Sequence, residues 1–334
     1  MAETIIREAV SRGLREALER DDRVFLMGED IGAYSGSYAV TRGFFEEFGP
    51  DRIMDTPISE SGIVGAAIGA AMGGRRPIVE IMTINFMLLA IDQIVNHAAK
   101  LRYMSNGQIS VPLVIRTVTG GGGSLGATHS QMFEGWFASV PGLKVVTPSD
   151  PYDALGMLRS AVADEDPVLF SEHALLYNMR GDVPDDYYTV PLGSAAVKRE
   201  GSDLTLVAYS RMVHVAMEAA GMLAERGVEA EVVDLRCLRP LDTATVIESV
   251  KKTNRAVVVE ETWRTGGFGA EVASTIQERA FDHLDGPVGR VGGEEVPAPY
   301  SFELEAAAIP TAQRVLDEVQ RSFGNLGQTQ GHAS

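Results

Sequence analysis

A single cysteine, Cys237, in 334 residues excludes an intrachain disulfide and any zinc site built on paired cysteines. It sits in the apolar run Val232-Val-Asp-Leu-Arg-Cys237-Leu, where a buried structural thiol is expected. Positive charge is also scarce: 29 Lys and Arg face 46 Asp and Glu, the formal charge is −17, and no basic run occurs. Such a surface repels phosphate backbones, which argues against nucleic acid as a partner. The acidity fits a merely solvated surface or a basic protein partner, and charge alone leaves both open. No apolar run approaches the roughly 20 residues that span a bilayer. Nor does the sequence open with a basic segment followed by an apolar stretch. The reading is no membrane association and a cytoplasmic location, with a processed organelle protein as the alternative.

What the chain does have is an alternation of strand and helix signals. Ile5, Ile6, Ala9, Val10, Leu14, Ala17 and Leu18 fall on one helical face and give way to the buried-strand run Val24-Phe-Leu-Met27. Further strands are expected at Ile78 to Met82, Leu113 to Thr117, Leu143 to Val146 and Val168 to Phe170, with helices near 62–73, 87–103 and 151–163. A polar stretch with turn residues, Arg180-Gly-Asp-Val-Pro-Asp-Asp-Tyr-Tyr, then intervenes. After it come strands at Leu204 to Ala208, Ala230 to Leu235 and Ala256 to Val259, with helices near 211–226 and 242–251. The pattern specifies an α/β chain with largely parallel sheets. The expected domains are 1–178 and 203–323, joined by a linker over 179–202 and followed by a frayed, apolar-poor tail over 324–334.

Two segments carry candidate chemistry. In Asp55-Thr-Pro-Ile-Ser-Glu60-Ser-Gly-Ile-Val-Gly, continuing to Gly74, Glu60 is a lone carboxylate at the mouth of an uncharged, small-residue helix. Gly62, Gly65 and Gly69 let another helix approach closely, so Glu60 is expected at a dry interface. Burial there raises its pKa and makes it a proton handle; the alternative is an acid that caps the helix N-terminus. In Gly120-Gly-Gly-Gly-Ser-Leu-Gly-Ala-Thr-His129, four consecutive glycines free the backbone for close approach to a ligand. His129 can donate to a developing anion or shuttle a proton, or it is bonded to loop backbone. The run lacks the Gly-Lys-Ser/Thr ending of a phosphate-binding P-loop.

Asp55-Thr-Pro-Ile-Ser-Glu60, Glu80-Ile-Met-Thr-Ile-Asn-Phe86, Ala90-Ile-Asp-Gln-Ile-Val-Asn96, His129-Ser-Gln and Pro141-Gly-Leu-Lys-Val-Val-Thr-Pro148 together resemble a known family. It is that of the β-subunits of thiamine-diphosphate-dependent 2-oxo-acid dehydrogenases, nearest to the pyruvate dehydrogenase β-subunits. Leu235-Arg-Cys-Leu-Arg-Pro-Leu-Asp242 and Glu260-Glu-Thr-Trp-Arg-Thr-Gly-Gly-Phe-Gly269 are similar to the C-terminal domain of transketolase-like enzymes, and the resemblance runs from about residue 3 to 322. The fold it implies is a two-domain transketolase-like chain, a thiamine-diphosphate pyrimidine-binding domain followed by a transketolase C-terminal domain.

The resemblance also implies roles. Glu60 matches the glutamate that hydrogen-bonds the aminopyrimidine ring, keeping a proton on the ring nitrogen so that the cofactor can deprotonate its own thiazolium carbon. Ile58, Phe86, Leu89 and Glu29 match positions around the cofactor; Leu89 replaces a glutamine found in some relatives, which removes a polar contact. His129 matches the histidine that steadies the substrate carboxylate, the intermediate or the acylated lipoyl group. Leu113, Ala161, Val162, Asp164 and Asp166 match a potassium loop, with Asp166 in place of a frequent asparagine; an acidic helix-to-strand turn is the alternative. The Gly-Asp-Gly segment with a later Asn-Asn, which holds Mg²⁺ and diphosphate in such enzymes, does not occur, so an α-subunit in an α2β2 assembly is expected to supply it. Glu295 matches an acidic position that docks the lipoyl acyltransferase core. The implied activity is oxidative decarboxylation of pyruvate with reductive acetylation of the lipoyl group. Acetoin and branched-chain 2-oxo-acid dehydrogenase β-subunits are the alternatives, and a non-catalytic scaffold subunit is the alternative of another class.

Overall fold

The computed structural model describes residues 2–324 and Leu326; the remainder of the tail expected over 324–334 lies outside the described residues. In chain order the first strands are β1 (Ala2–Ile5), β2 (Val24–Gly28), β3 (Ile53–Asp55), β4 (Arg76–Ile81), β5 (Val114–Thr119), β6 (Lys144–Val146), β7 (Val168–His173) and β8 (Arg180–Val183). They are followed by β9 (Ala196–Arg199), β10 (Leu204–Ala208), β11 (Ala230–Asp234), β12 (Cys237–Arg239), β13 (Ala256–Trp263) and β14 (Gly289–Gly293). The larger sheet has the order β12-β6-β7-β5-β4-β2-β3, the second β14-β13-β10-β11-β9, and β1 pairs only with β8. Within the larger sheet β3, β2, β4, β5, β7 and β6 are mutually parallel and β12 alone runs antiparallel.

Both faces of the larger sheet are covered, which is why its strands read as continuous apolar runs. One face carries the amphipathic helix Ile6–Arg20, which buries Ile6, Ala9, Val10, Leu14 and Leu18 against the helix Pro151–Ala163. The latter begins where Asp150 accepts the Asp153 N–H and Pro151 occupies the first turn, a start signal visible in the sequence. The other face carries the helix Glu60–Met72, through Ile63, Val64, Ala67, Ile68 and Ala71. That core continues into the second half through Val207, Val233, Leu235 and Val258, so one apolar body joins both sheets.

The structure differs from the sequence expectations in four places. Residues 179–202 are partly strand, β8 pairing with β1 and β9 with β11. The second half returns β12 to the first sheet, Cys237 opposite Val146, which buries the thiol and pushes its pKa up to about 11 through desolvation. The helix expected over 87–103 is rewound three times: a 3₁₀ segment Phe86–Ala90, a π-helical turn Gln93–Ala98 and a short α-helix Leu101–Met104. And the glycine face of the Glu60 helix, expected under a close-packed helix, is open: Gly62 and Gly69 are exposed, and a methyl group at Gly69 would touch nothing.

Three central strands are locked by a buried charge cluster. Arg116 on β5 donates to both Glu172 oxygens on β7 (Nε 2.7 Å, Nη2 2.9 Å) and to Glu80 on β4 (2.7 Å), and the Tyr177 hydroxyl adds a bond to Glu172 (2.8 Å). Burial opposes the guanidinium charge, but Glu172 and Glu80 outweigh it and hold the pKa of Arg116 above its usual range. Removing only the cation strands two carboxylates in the core, so Arg116→Met is expected to cost about 3–5 kcal/mol. Equilibrium urea unfolding of the chain measures it, and a loss under about 1 kcal/mol would show that the pair neutralises by taking up protons instead.

Candidate active site

In open parallel sheets, ligands bind outside the carboxyl ends of strands, at the point where successive strands depart to opposite sides. Here β2 is followed on one side by β3 and on the other by β4, so that crevice lies between the ends of β2 and β4. The segments that leave the carboxyl ends of β2, β3, β4 and β5 carry Glu29, Glu60, Phe86 and His129 respectively. Four residues scattered over a hundred positions of sequence thus share one sheet edge because parallel connections return every strand in the same direction.

Asp55, the last residue of β3, fixes part of this edge. Its Oδ1 accepts the Gly32 N–H at 2.6 Å and the Thr56 N–H donates to the Gly28 carbonyl at 2.9 Å, so the loop bearing Glu29 is tied to the turn that leads to Glu60. Gly28 must be bare for this packing, because a Cβ there would lie 2.7 Å from the Glu80 carbonyl. Glu60 opens its helix and is only 4% exposed, yet no hydrogen bond or ion pair from the described residues reaches its carboxylate. It therefore does not bond its own helix N-terminus, as the capping alternative requires. Glu29 feels it: burial first, then the charges of Glu60 and Asp30, raise the Glu29 pKa.

Phe86 and His129 meet directly, ring edge to ring face, with centroids 5.3 Å apart and planes at 82°. Both line a cleft of about 270 Å³ together with Tyr38, Met82, Leu125 and Ala174. Tyr38 packs against Tyr177 at a centroid distance of 4.9 Å with the rings tilted by 34°, so the Arg116 cluster supports the cleft wall. His129 is exposed; its Nδ1 lies 3.0 Å from the Thr128 hydroxyl, and its Nε2 has no protein partner among the described residues. Ile58 and Leu89 sit outside the cleft, 81% and 66% exposed. They give this end of the sheet two large exposed apolar groups.

The residues matched to a potassium loop lie apart, at the amino end of the sheet, before β5 and β7. Lys144 sits 2.6 Å from both Asp164 oxygens and 3.3 Å from Asp166, whose other oxygen pairs with Arg102 at 2.8 Å. Arg76 donates to the Val162 and Asp164 carbonyls, the Asp164 N–H to the Ala161 carbonyl, and the Val168 N–H to the Leu113 carbonyl. Expected side-chain donation by an aspartate is thus preempted by the chain's own cations, and the donor set that fits a cation is restricted to second lone pairs of carbonyl oxygens. Glu295, in the second half beyond β14, is exposed and accepts the Thr265 N–H at 2.9 Å.

Sequence reading missed Asp55 as a tie, Tyr38 as a wall, and the Arg116 cluster. The cluster had a signal: Glu80, Arg116 and Glu172 are charges inside otherwise apolar strand runs, and buried charges require partners.

Comparison with known proteins matches two families along the chain. Residues 3–179 match the family described as the transketolase pyrimidine binding domain, and residues 193–315 the transketolase C-terminal domain. Over 323 residues the chain is 47% identical to a mitochondrial pyruvate dehydrogenase E1 component subunit beta from Dictyostelium discoideum, covering 96% of this chain and 91% of the relative. The corresponding subunit from Rickettsia felis is 46% identical over 95% of this chain and 97% of its own length. That from Drosophila melanogaster is 47% identical over 98% and 91%. Among solved structures, one described as a split gene transketolase, inactive beta4 tetramer, superposes with a TM-score of 0.78 at 25% identity, over 97% of this chain and 99% of that one.

The raised Glu29 pKa has a definite consequence for stability. The folded chain holds this proton to higher pH than the unfolded chain, so stability falls as pH rises through the window above the ordinary carboxyl value. Glu29→Gln should therefore raise the thermal midpoint at pH 7 and lose that advantage as pH falls below 4.5, the ordinary value for Glu29. Glu60→Gln should reproduce part of the gain. Calorimetry across that range checks both; a pH-independent difference would remove the titration of Glu29 as its cause.

Proposed function

The chain belongs to the pyruvate dehydrogenase E1 component β-subunit family, and we propose that it works as one: with an α-subunit it decarboxylates pyruvate oxidatively and passes the acetyl group to a lipoyl acceptor. The observation that carries the proposal is Glu60, 4% exposed and with no hydrogen bond or ion pair to its carboxylate among the described residues, at the carboxyl edge of a parallel sheet. An acid left unpaired by protein is open to completion by a ligand. A ring nitrogen that shares a proton with the carboxylate completes it.

Thiamine diphosphate, when bound, supplies the carbanion chemistry that breaks the bond to the carboxylate of a 2-oxo acid. The tasks of this chain are narrower. Glu60 holds a proton at the pyrimidine ring nitrogen. Phe86 offers an aromatic face for packing and Ile58 and Leu89 offer apolar contact. Glu29, whose pKa burial and then the charges of Glu60 and Asp30 raise, adds a second carboxyl beside Glu60. His129, with Nε2 free, donates to the substrate carboxylate or to the acyl acceptor. Mg²⁺ and the diphosphate are assigned to the α-subunit, since this sequence lacks the Gly-Asp-Gly and Asn-Asn residues that would hold them. The exposed apolar groups Ile58 and Leu89, on the segments that carry Glu60 and Phe86, support an α2β2 assembly that covers them. Potassium at the Leu113 and 161–166 carbonyls and a cytoplasmic location belong to the same proposal. No helix among the described residues is long and apolar enough to cross a membrane.

Glu60→Gln keeps the shape and removes the acid. In the enzyme reconstituted with its α-subunit, cofactor binding should largely persist while turnover falls about a hundredfold or more, roughly 3 kcal/mol of transition-state stabilisation. Deuterium exchange at the reactive carbon of the cofactor is the direct readout, and an unchanged rate would assign the proton chemistry elsewhere.

Docking of the acyltransferase core is proposed to involve Glu295, whose second oxygen has no partner among the described residues beside the Thr265 contact. Glu295→Lys should weaken that docking and reduce its salt dependence, while decarboxylation with an artificial electron acceptor stays intact. Surface plasmon resonance at two ionic strengths separates these effects; unaltered affinity would exclude Glu295 from the interface.

A further inference from the structure

The glycine loop that ends in His129 is held from a distance. Its Gly121 N–H donates to Glu261 Oε1 at 2.8 Å, and its Ser124 N–H to Glu305 Oε2 at 2.7 Å, with the Ser124 hydroxyl 3.4 Å from the same oxygen. Both acceptors belong to the second half, Glu261 to β13 and Glu305 to the helix Phe302–Ala308, 140 and 181 residues along the chain from their partners. Both are buried, at 7% and 2% exposure. Glu261 is itself fixed by His173 Nε2 at 3.0 Å and by Arg211 at 3.6 Å. Burial works against its charge, yet His173, Arg211 and the Gly121 N–H together hold its carboxyl below the usual range, so it is an anionic acceptor.

The loop backbone is pressed between the halves. A Cβ at Gly120 would lie 2.0 Å from the His173 ring, and one at Gly126 2.2 Å from the Tyr300 ring; both glycines have positive φ. Beyond the two clamped N–H groups, the His129 N–H bonds the Gly126 carbonyl at 3.2 Å and the Gln131 side chain bonds the Ala127 carbonyl at 2.7 Å. The position of His129 therefore follows from the turn that Glu305 and Tyr300 fix. Apolar residues at 261 and 305 would avoid the desolvation cost of two buried carboxylates. What only acceptors at those positions provide is a defined place for Gly121 and Ser124.

We propose that Glu261 and Glu305 are positioning residues: they set the glycine loop, and through it place His129 for the reaction. The proposal rests on the reading of His129 as a residue of the active site. Through this clamp, the second half of the chain determines the geometry of a site whose other residues all come from the first half.

The test uses the full chain, alone and reconstituted with α-subunit, thiamine diphosphate and Mg²⁺, as wild type, Glu305→Ala, Glu305→Gln and His129→Ala, with the double variant Glu305→Ala/His129→Ala. In the chain alone, Glu305→Ala should speed amide deuterium exchange over 120–129 by about tenfold or more while peptides from β5 and the Glu60 helix keep their protection. In the reconstituted enzyme it should lower kcat about tenfold, Glu305→Gln should restore most of that through its remaining carbonyl acceptor, and in the His129→Ala background the further loss should shrink below about twofold. Wild-type exchange over 120–129, or the same loss in both backgrounds, overturns the proposal. Full activity of His129→Ala beside fast exchange in Glu305→Ala would instead overturn the role given to His129 while leaving the clamp visible. If Glu305→Ala does not fold, Glu305→Leu fills the buried volume without an acceptor and carries the same expectations.

Discussion

One guanidinium sets the register on which the remaining architecture depends. Arg116 reaches sideways from β5 to carboxylates on both neighbouring strands, and because all three strands are parallel, a fixed register fixes where their carboxyl ends stop. The loops that bear Phe86 and His129 start from those ends, and Tyr177, bonded to Glu172, carries the alignment on to Tyr38 in the cleft wall. Buried ion pairs give little net stability compared with apolar packing. Their directional bonds can make one strand alignment cheaper than its neighbours, which apolar strands flanked on both faces do poorly for themselves.

The site divides labour by polarity. Its candidate acids, Glu29 and Glu60, lie on the segments that leave β2 and β3, where no cation among the described residues pairs with them. The aromatic and imidazole groups lie at the ends of β4 and β5 over the cleft. At the opposite edge of the same sheet the acids Asp164 and Asp166 are fully matched by Lys144 and Arg102. Charges are thus paired at one edge and left unpaired at the other, the pattern on which the proposed chemistry draws.

How much of this could be read from residues alone depends on sequence distance. Glu60 and His129 drew notice because each sits in a local pattern, Phe86 only through the family resemblance, and the helix expected near 151–163 is found at Pro151–Ala163, where Asp150 and Pro151 supply a start. The strands β2, β4, β5, β7, β10 and β11 were legible from apolar runs. The three short windings between 86 and 104 were not, because apolar spacing distinguishes helix from strand but not 3.0 from 3.6 residues per turn. Nor were β12 and β14: Cys237–Arg239 is too short for a periodic signal, and Gly289–Gly293 is built largely from a residue that usually weakens strands. The Glu261 and Glu305 contacts lay beyond any local rule.

The return of β12 to the first sheet bears on how the chain comes off the ribosome. Until residue 239 has been made, the nascent first half presents β6 as a bare edge, its unpaired N–H and C=O groups available to any other extended segment. Roughly a hundred residues, some seconds of translation, separate the making of that edge from its cover. The vulnerable interval belongs to synthesis and not to the finished protein. Cutting the gene between the halves would make it permanent in the first fragment, unless the second were supplied to close it.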